Sequence, residues 1–174
     1  KFLNWYWPRF HARAFVLSRQ NEFMADRIAV DATNSDFAAA ALWRIDCTGH
    51  MLEKEFWKNL WAETESSADP PGNLCERLSI ACHEAPSGEN AARWCDYALQ
   101  RVANNEDTHP SLSERLNAIG VSPQQMRSAG FPAAPEVSAA NGLLTDDLGK
   151  IEEEINQRWQ NTVRSIWRDR HRRI

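Results

Sequence analysis

Apolar residues in this chain recur at spacings of three and four, and nowhere do apolar and polar residues alternate over more than three positions. That period belongs to the α-helix and leaves no material for a sheet. The first segment, from about residue 10 to residue 31, is rich in Ala, Arg, Leu and Glu. It sets Ala14, Leu17, Asn21, Met24 and Ala25 on one stripe, whose small members suit close helix packing. The capping cluster Thr33-Asn34-Ser35-Asp36 starts a second helix, expected over about 36–64 with a break near Thr48-Gly49-His50. Its buried face is predicted to carry Phe37, Ala41, Leu42, Ile45, Leu52, Phe56 and Leu60.

Breaker residues divide the rest of the chain. Ser66-Ser67-Ala68-Asp69-Pro70-Pro71-Gly72 reads as a loop, and a short helix is expected from Leu74 to about His83. After Pro86-Ser87-Gly88 another helix runs from Glu89 to about Val102 with Ala92, Cys95, Ala98 and Leu99 inward, and the polar connector Asn104-Asn105-Glu106-Asp107 ends it. Ser111 with Glu114 forms an S-x-x-E capping box that opens a short helix stopping at Gly120, and Ser122-Pro123 opens the next. Residues 129–138, with Gly130-Phe131-Pro132-Ala133-Ala134-Pro135, read as a linker. A long helix is expected over 139–174, on a stripe of Leu143, Leu144, Leu148, Ile151, Ile155, Trp159, Val163, Ile166 and Trp167. The expected architecture is all-α, an irregular helical bundle with a long C-terminal helix, organised as 1–128, the linker 129–138, and 139–174.

Composition narrows the function classes. Hydrophobic residues make up 43% and charged residues 25%, which reads as soluble and globular. No apolar run approaches the roughly 20 residues that cross a bilayer, and a net charge of −4 gives no sign of nucleic-acid binding. The opening Phe2-Leu3-Asn4-Trp5-Tyr6-Trp7-Pro8-Arg9-Phe10, followed by His11 and Arg13, has the composition of a membrane–water boundary. A hydrophobic staple onto the first helix accounts for it equally well. The basic stretch from Arg164 to Arg173 reads as a solvated helix end, with contact to anionic headgroups as its rival. Cys47, Cys75, Cys82 and Cys95 form no C-x-x-C pair and are expected to be buried free thiols, which fits a reducing cytoplasm.

Two motifs carry chemistry. The first is Ser18-Arg19-Gln20-Asn21-Glu22-Phe23-Met24-Ala25-Asp26, an S-R-x-x-E-x-x-A-D pattern. The second is Thr108-His109-Pro110-Ser111-Leu112-Ser113-Glu114-Arg115, a T-H-P-x-x-x-x-R pattern. Taken singly, Glu22 is a surface partner of Arg19, Asp26 a surface charge, His109 a turn residue and Arg115 an exposed cation. Present together and in this order, they resemble the part of the HtpX and CAAX-prenyl-protease type of membrane zinc metallopeptidase that comes after its H-E-x-x-H helix. The resemblance covers about residues 1–120.

The resemblance implies a role for each residue. Glu22 becomes the third zinc ligand, with Ala25 letting its helix pass close to the metal helix. Asp26 supports a ligating histidine through a hydrogen bond, and His109 stabilises the oxyanion or occupies the metal's open position. The fixed fork of Arg115 suits a carboxylate such as Asp26 or Glu22. The H-E-x-x-H pair itself is missing. The nearest stretch, His83-Glu84-Ala85-Pro86-Ser87, ends in serine and contains a helix-breaking proline.

The chain starts at Lys1 without an initiator Met, on an aromatic run that no helix-start signal precedes, and so reads as an excised piece. The expected function is therefore that of a soluble fragment of a membrane-bound zinc-dependent endopeptidase, inactive alone. Its partners are a protein or peptide substrate, the missing N-terminal part of the same chain, and a membrane beside its N-terminus. The resemblance favours the boundary reading of that N-terminus and implies a bacterial inner membrane with this region cytoplasmic. Apolar surface left by the missing half could pair two copies into a homodimer. The rival reading is a non-enzymatic helical interaction domain that uses its long last helix and its eight tryptophans as a binding surface.

Overall fold

A computed structural model of the chain describes residues 2–84, 89–103 and 109–173, without the side chains of residues 8, 11–13 and 89–91. Among the described residues every regular element is helical: α1 Phe2–Ala32, α2 Ser35–Met51, α3 Trp57–Ala62, α4 Leu74–His83, α5 Glu89–Gln100, α6 Leu112–Ala118, α7 Pro123–Ala129, α8 Ala139–Leu144 and α9 Leu148–His171. The fold is all-α with a long C-terminal helix. The chain divides into two compact units, Lys1–Thr48 with Pro86–Pro132, and Gly49–Ala85 with Ala133–Ile174. They interleave along the sequence, whereas the breakers divide it in series.

The core of the first unit gathers Ala38, Ala39, Trp43 and Cys47 of α2, Ala98 and Leu99 of α5, and Leu112, Leu116, Ile119, Val121 and Met126 from α6, α7 and their connection. The buried face of α2 is thus not the expected one, because Phe37 and Ile45 are well exposed while Ala39, Trp43 and Cys47 point inward. These three are spaced by four. The two alanines admit close packing, and Trp43 fills the space by meeting Phe131 edge-on at 5.4 Å between ring centroids. The helix does not break at Thr48-Gly49-His50. It continues into a π-helical turn over Leu52–Phe56, then α3 and a single 3₁₀ turn over Glu63–Glu65.

Local signals set α6 and α7. Ser111 caps α6 and Ser122 caps α7, each in a reciprocal capping box with Glu114 or Gln125, and Pro123 occupies a first-turn position where its missing N–H costs nothing. At the C-terminal end of α6 the Val121 amide donates to the Leu116 carbonyl and the Gly120 amide to the Asn117 carbonyl. This is a Schellman ending, with Gly120 at φ +80° as the left-handed residue.

In the second unit Trp167 is wholly buried against Trp61 and Trp159, its indole N–H donating to the Ser67 carbonyl at 3.0 Å. Asn156 accepts from the Cys75 amide, Gln160 donates to the Pro70 carbonyl, and the His171 ring bonds the Thr64 carbonyl. These contacts dock α9 on the 66–72 loop and on α4. The long helix starts later than expected. Thr145 sits at φ 36°, rare for a β-branched residue, between α8 and a 3₁₀ turn, so the chain is helical but not one helix over 139–173. Leu143, Leu144, Ile151, Ile155 and Ile166 stay exposed, while Leu148, Trp159 and Val163 are half-buried and Trp167 packs fully inward.

Leu116 is fully buried, so Leu116→Ala is expected to lower stability by about 2–5 kcal/mol. Gly120→Ala should cost only about 1 kcal/mol, since open space surrounds the added methyl and the penalty is purely backbone. Urea denaturation monitored by far-ultraviolet circular dichroism measures both.

Candidate metal-ligand and peptidase site

The face that α1 turns inward carries its charged residues beside two apolar ones, of which Val30 packs on the core. Ser18, Arg19, Glu22, Phe23, Asp26 and Val30 are buried or half-buried, while Leu17, Met24 and Ile28, on the opposite side, are 58%, 59% and 62% exposed. Of the stripe expected from sequence to pack, Leu17, Asn21, Met24 and Ala25 therefore face outward and only Ala14 is half-buried. A surface helix normally does the reverse. Here charge pairing with α6 outweighs apolar burial and sets the orientation.

Asp26 is only 4% exposed. A carboxylate so placed needs a cation, and Arg115 supplies it with a fork: Nε donates to Oδ2 at 2.8 Å and Nη2 to Oδ1 at 2.6 Å. The hydrogen bonds that Arg115 donates to Asp26, opposed in part by burial and aided by the charges of Asp26 and Glu22, hold the guanidinium above its already high ordinary pKa. The remaining nitrogen, Nη1, lies 3.3 Å from Glu22 Oε2. The other oxygen of Glu22 is hydrogen-bonded to Nδ1 of His109, so Nε2 is the nitrogen of that exposed ring not engaged by Glu22. Glu22, Asp26, His109 and Arg115, drawn from two elements far apart in sequence, thus meet on one face.

A second pair frames the first. Arg19 donates to Glu114 Oε1 at 2.8 Å, while Glu114 Oε2 accepts from the Ser111 amide and hydroxyl at 2.7 and 3.0 Å. Arg19 thereby grips the capping box that starts α6, two residues beyond His109. Arg19 and Glu114 both stand inside the motifs, and Glu114 in the capping box, but nothing in the sequence links them. Their pairing spans 95 positions and leaves no local trace.

Several expected features fall elsewhere. Thr108 and the 104–107 connector lie outside the described residues, as do Ala85, Pro86, Ser87 and the side chains of His11 and Arg13. His83 closes α4 and Glu84 caps it in extended conformation. At the N-terminus Phe2, Tyr6, Trp7 and Phe10 form a stacked, exposed ladder along α1, with the exposed Trp5 tilted against Phe2 and Arg9 over the Trp5 ring at 4.5 Å. Of the cysteines Cys47 is buried, Cys75 and Cys95 are partly so, and Cys82 is exposed, against the expectation that all four are buried.

The profile of peptidase family M48 matches residues 8–121, well over half of the chain. The chain belongs to peptidase family M48. No curated protein and no solved structure matches it. The matched residues take in both α1 and α6 and hence the whole ionic cluster, and members of the family are peptidases.

Peptidases of this family are generally zinc-dependent, so the residues can be tested against that ion. A catalytic zinc takes three protein ligands and keeps one position open. Among the described residues no group of three His, Cys, Asp or Glu side chains could hold a metal. The donor set among the described residues does not by itself fit the ion. Glu22 fits the requirement for one ligand, because each oxygen of a carboxylate keeps lone-pair capacity beyond the bond it already accepts. Among the described residues no helix is long and apolar enough to cross a membrane.

Removing one member of the Asp26–Arg115 pair leaves the other partly buried and uncompensated. Asp26→Ala is expected to cost about 2–4 kcal/mol, somewhat below a fully buried pair because the Arg115 side chain keeps about a quarter of its exposure. In a double-mutant cycle with Arg115→Ala the coupling should exceed about 1 kcal/mol. Additive effects would show that the pair does not join α1 to α6.

Proposed function

We propose that this chain is the part of a membrane-bound, zinc-dependent endopeptidase that supplies the third metal ligand, Glu22, and that it is inactive alone. The observation that carries the reading is the Glu22 carboxylate, held between His109 and Arg115 on a face built from both family motifs. Such a carboxylate is oriented before any metal arrives. When bound, zinc supplies Lewis acidity toward a carbonyl and an acidified water.

The residues of the chain have distinct tasks in this reading. Glu22 contributes negative charge and one ligand atom. Arg115, itself fixed by Asp26, sets the carboxylate plane and moderates its charge. His109, oriented through its Nδ1 contact with Glu22, turns its Nε2 edge to where negative charge develops on a substrate oxygen, and donates there when both ring nitrogens carry hydrogen. The exposed apolar stripe of Leu17, Met24 and Ile28 supports a further packed element on α1, whereas the two-histidine helix has to reach the side that carries Glu22. The aromatic ladder ahead of it supports a membrane boundary at that end. The rival reading, an interaction domain with a tryptophan surface, has less to draw on, because only Trp5 and Trp7 of the eight tryptophans are exposed.

The parent reading frame is expected to encode H-E-x-x-H ahead of residue 1. The purified parent should bind zinc stoichiometrically and cleave an unfolded protein substrate, and Glu22→Gln should weaken zinc binding at least about 10–100-fold, the loss that removal of even a supporting contact typically causes. The 174-residue chain alone should take up no stoichiometric zinc. A parent lacking the motif, or a Glu22→Gln variant with unchanged zinc affinity, sinks the proposal.

A further inference from the structure

Cys47 on α2 and Cys95 on α5 bring their sulfur atoms to 2.7 Å of each other inside the first unit. Cys47 is wholly buried in the cluster of Ala39, Trp43, Ala98 and Leu99, and Cys95 packs against the same cluster from a more open position. A thiol is a weak donor and a weak acceptor, so hydrogen bonding alone gives little reason for so close an approach. A disulfide needs a sulfur separation of roughly 2.05 Å and side chains facing one another across neighbouring backbones. The pair lies well under one ångström from that bond. Cys75 and Cys82 stand apart from it, since both lie on α4, seven positions from each other, and a straight helix cannot join them.

We propose that Cys47 and Cys95 are an oxidation site, closing a reversible intramolecular disulfide between α2 and α5. The oxidant is a small-molecule disulfide of the glutathione class. Cys95, the more accessible thiol, loses its proton and attacks one oxidant sulfur, forming a mixed disulfide and releasing one small thiolate. Cys47 then loses its proton and attacks Cys95 Sγ, which breaks the mixed disulfide and releases the second thiolate. Two protein thiols are oxidised, one small disulfide is reduced to two thiols, and the two protons pass to the released thiolates. Burial pushes both thiols above their ordinary pKa, Cys47 more than Cys95, so the exchange is slow and begins at Cys95.

The consequence is mechanical. The bond ties two helices of the core and closes the chain between positions 47 and 95 into a ring, which restricts the unfolded state. The α5 helix also holds α6, because the Ser113 hydroxyl donates to the Leu99 carbonyl. Oxidation therefore stiffens the frame behind Arg115 without touching any member of the ionic cluster.

The test uses the full 174-residue chain, equilibrated natively in glutathione buffers from fully reduced to fully oxidised. Intact mass under non-reducing conditions should fall by two hydrogens, peptide mapping should join Cys47 to Cys95, and the melting temperature should rise by several degrees. A Cys75→Ser/Cys82→Ser variant should behave the same way, and Cys95→Ser, at a half-open position, should lose both the mass change and the shift. An unchanged mass, a glutathione adduct that persists on Cys95, or a bond that recruits Cys75 or Cys82 overturns the proposal.

Discussion

The contact between α1 and α6 depends on a salt bridge that has to be made in full or not at all. Asp26 is almost out of water, and an isolated carboxylate there would forgo several kilocalories of hydration. The Arg115 fork returns that energy only in one geometry, with both oxygens engaged at 2.6 and 2.8 Å. A pair of this kind adds little net stability over two apolar residues of the same size, but it fixes register. Sliding α6 by a single residue would break the fork and separate Glu114 from Arg19. The two ion pairs, made by residues 19 and 26 on α1 with the adjacent 114 and 115 on α6, hold the helices at one relative position and bring Glu22, which lies between them in sequence, against His109.

That requirement explains why α1 is inside out. A helix offering Leu17, Met24 and Ile28 on one side and Arg19, Glu22 and Asp26 on the other would ordinarily bury the first set, at roughly 25 cal/mol for each square ångström of apolar surface. The opposite happens because the polar set has specific partners in the first unit and the apolar set has none among the described residues. An apolar stripe on this scale is a surface for association. The match to peptidase family M48 and the outward stripe therefore bear on the same helix: one side carries Arg19, Glu22 and Asp26, and the other offers packing surface.

The range of each interaction sets what can be read from the sequence. The bounds of α4, the capping box at Ser111 and the helix start at Ser122-Pro123 are written in residues close together, so local chemistry decides them and the structure agrees. The inward faces of α1 and α2 differ from expectation because amphipathic periodicity says that a helix has two sides but not which partner waits for each. Phe37 and Ile45 look like core residues until Ala38 and Ala39 are seen to allow closer packing than they could. The meeting of Glu22, Asp26, His109 and Arg115 is foreseeable only by recognising two motifs together, since their separation in sequence exceeds any periodic signal. The contact between Cys47 and Cys95 leaves no trace at all, for cysteine spacing carries no information about helices that pack side by side.

The placement of His109 and Arg115 rests on an element that cannot stand alone. A seven-residue helix lies well below the length at which isolated helices form in water. The α6 helix persists because each end is closed and its middle is buried: the Ser111–Glu114 box and Arg19 hold the start, the Schellman turn at Gly120 holds the finish, and Leu116 anchors the interior. Each contact also touches the site, since Glu114 precedes Arg115 and Ser111 comes directly after Pro110 and His109. Folding and site assembly are consequently one event for this segment. A substitution that frays α6 disperses the charged cluster before it unfolds the unit, and the cluster, by holding Arg115 and Glu114 to α1, keeps α6 from fraying.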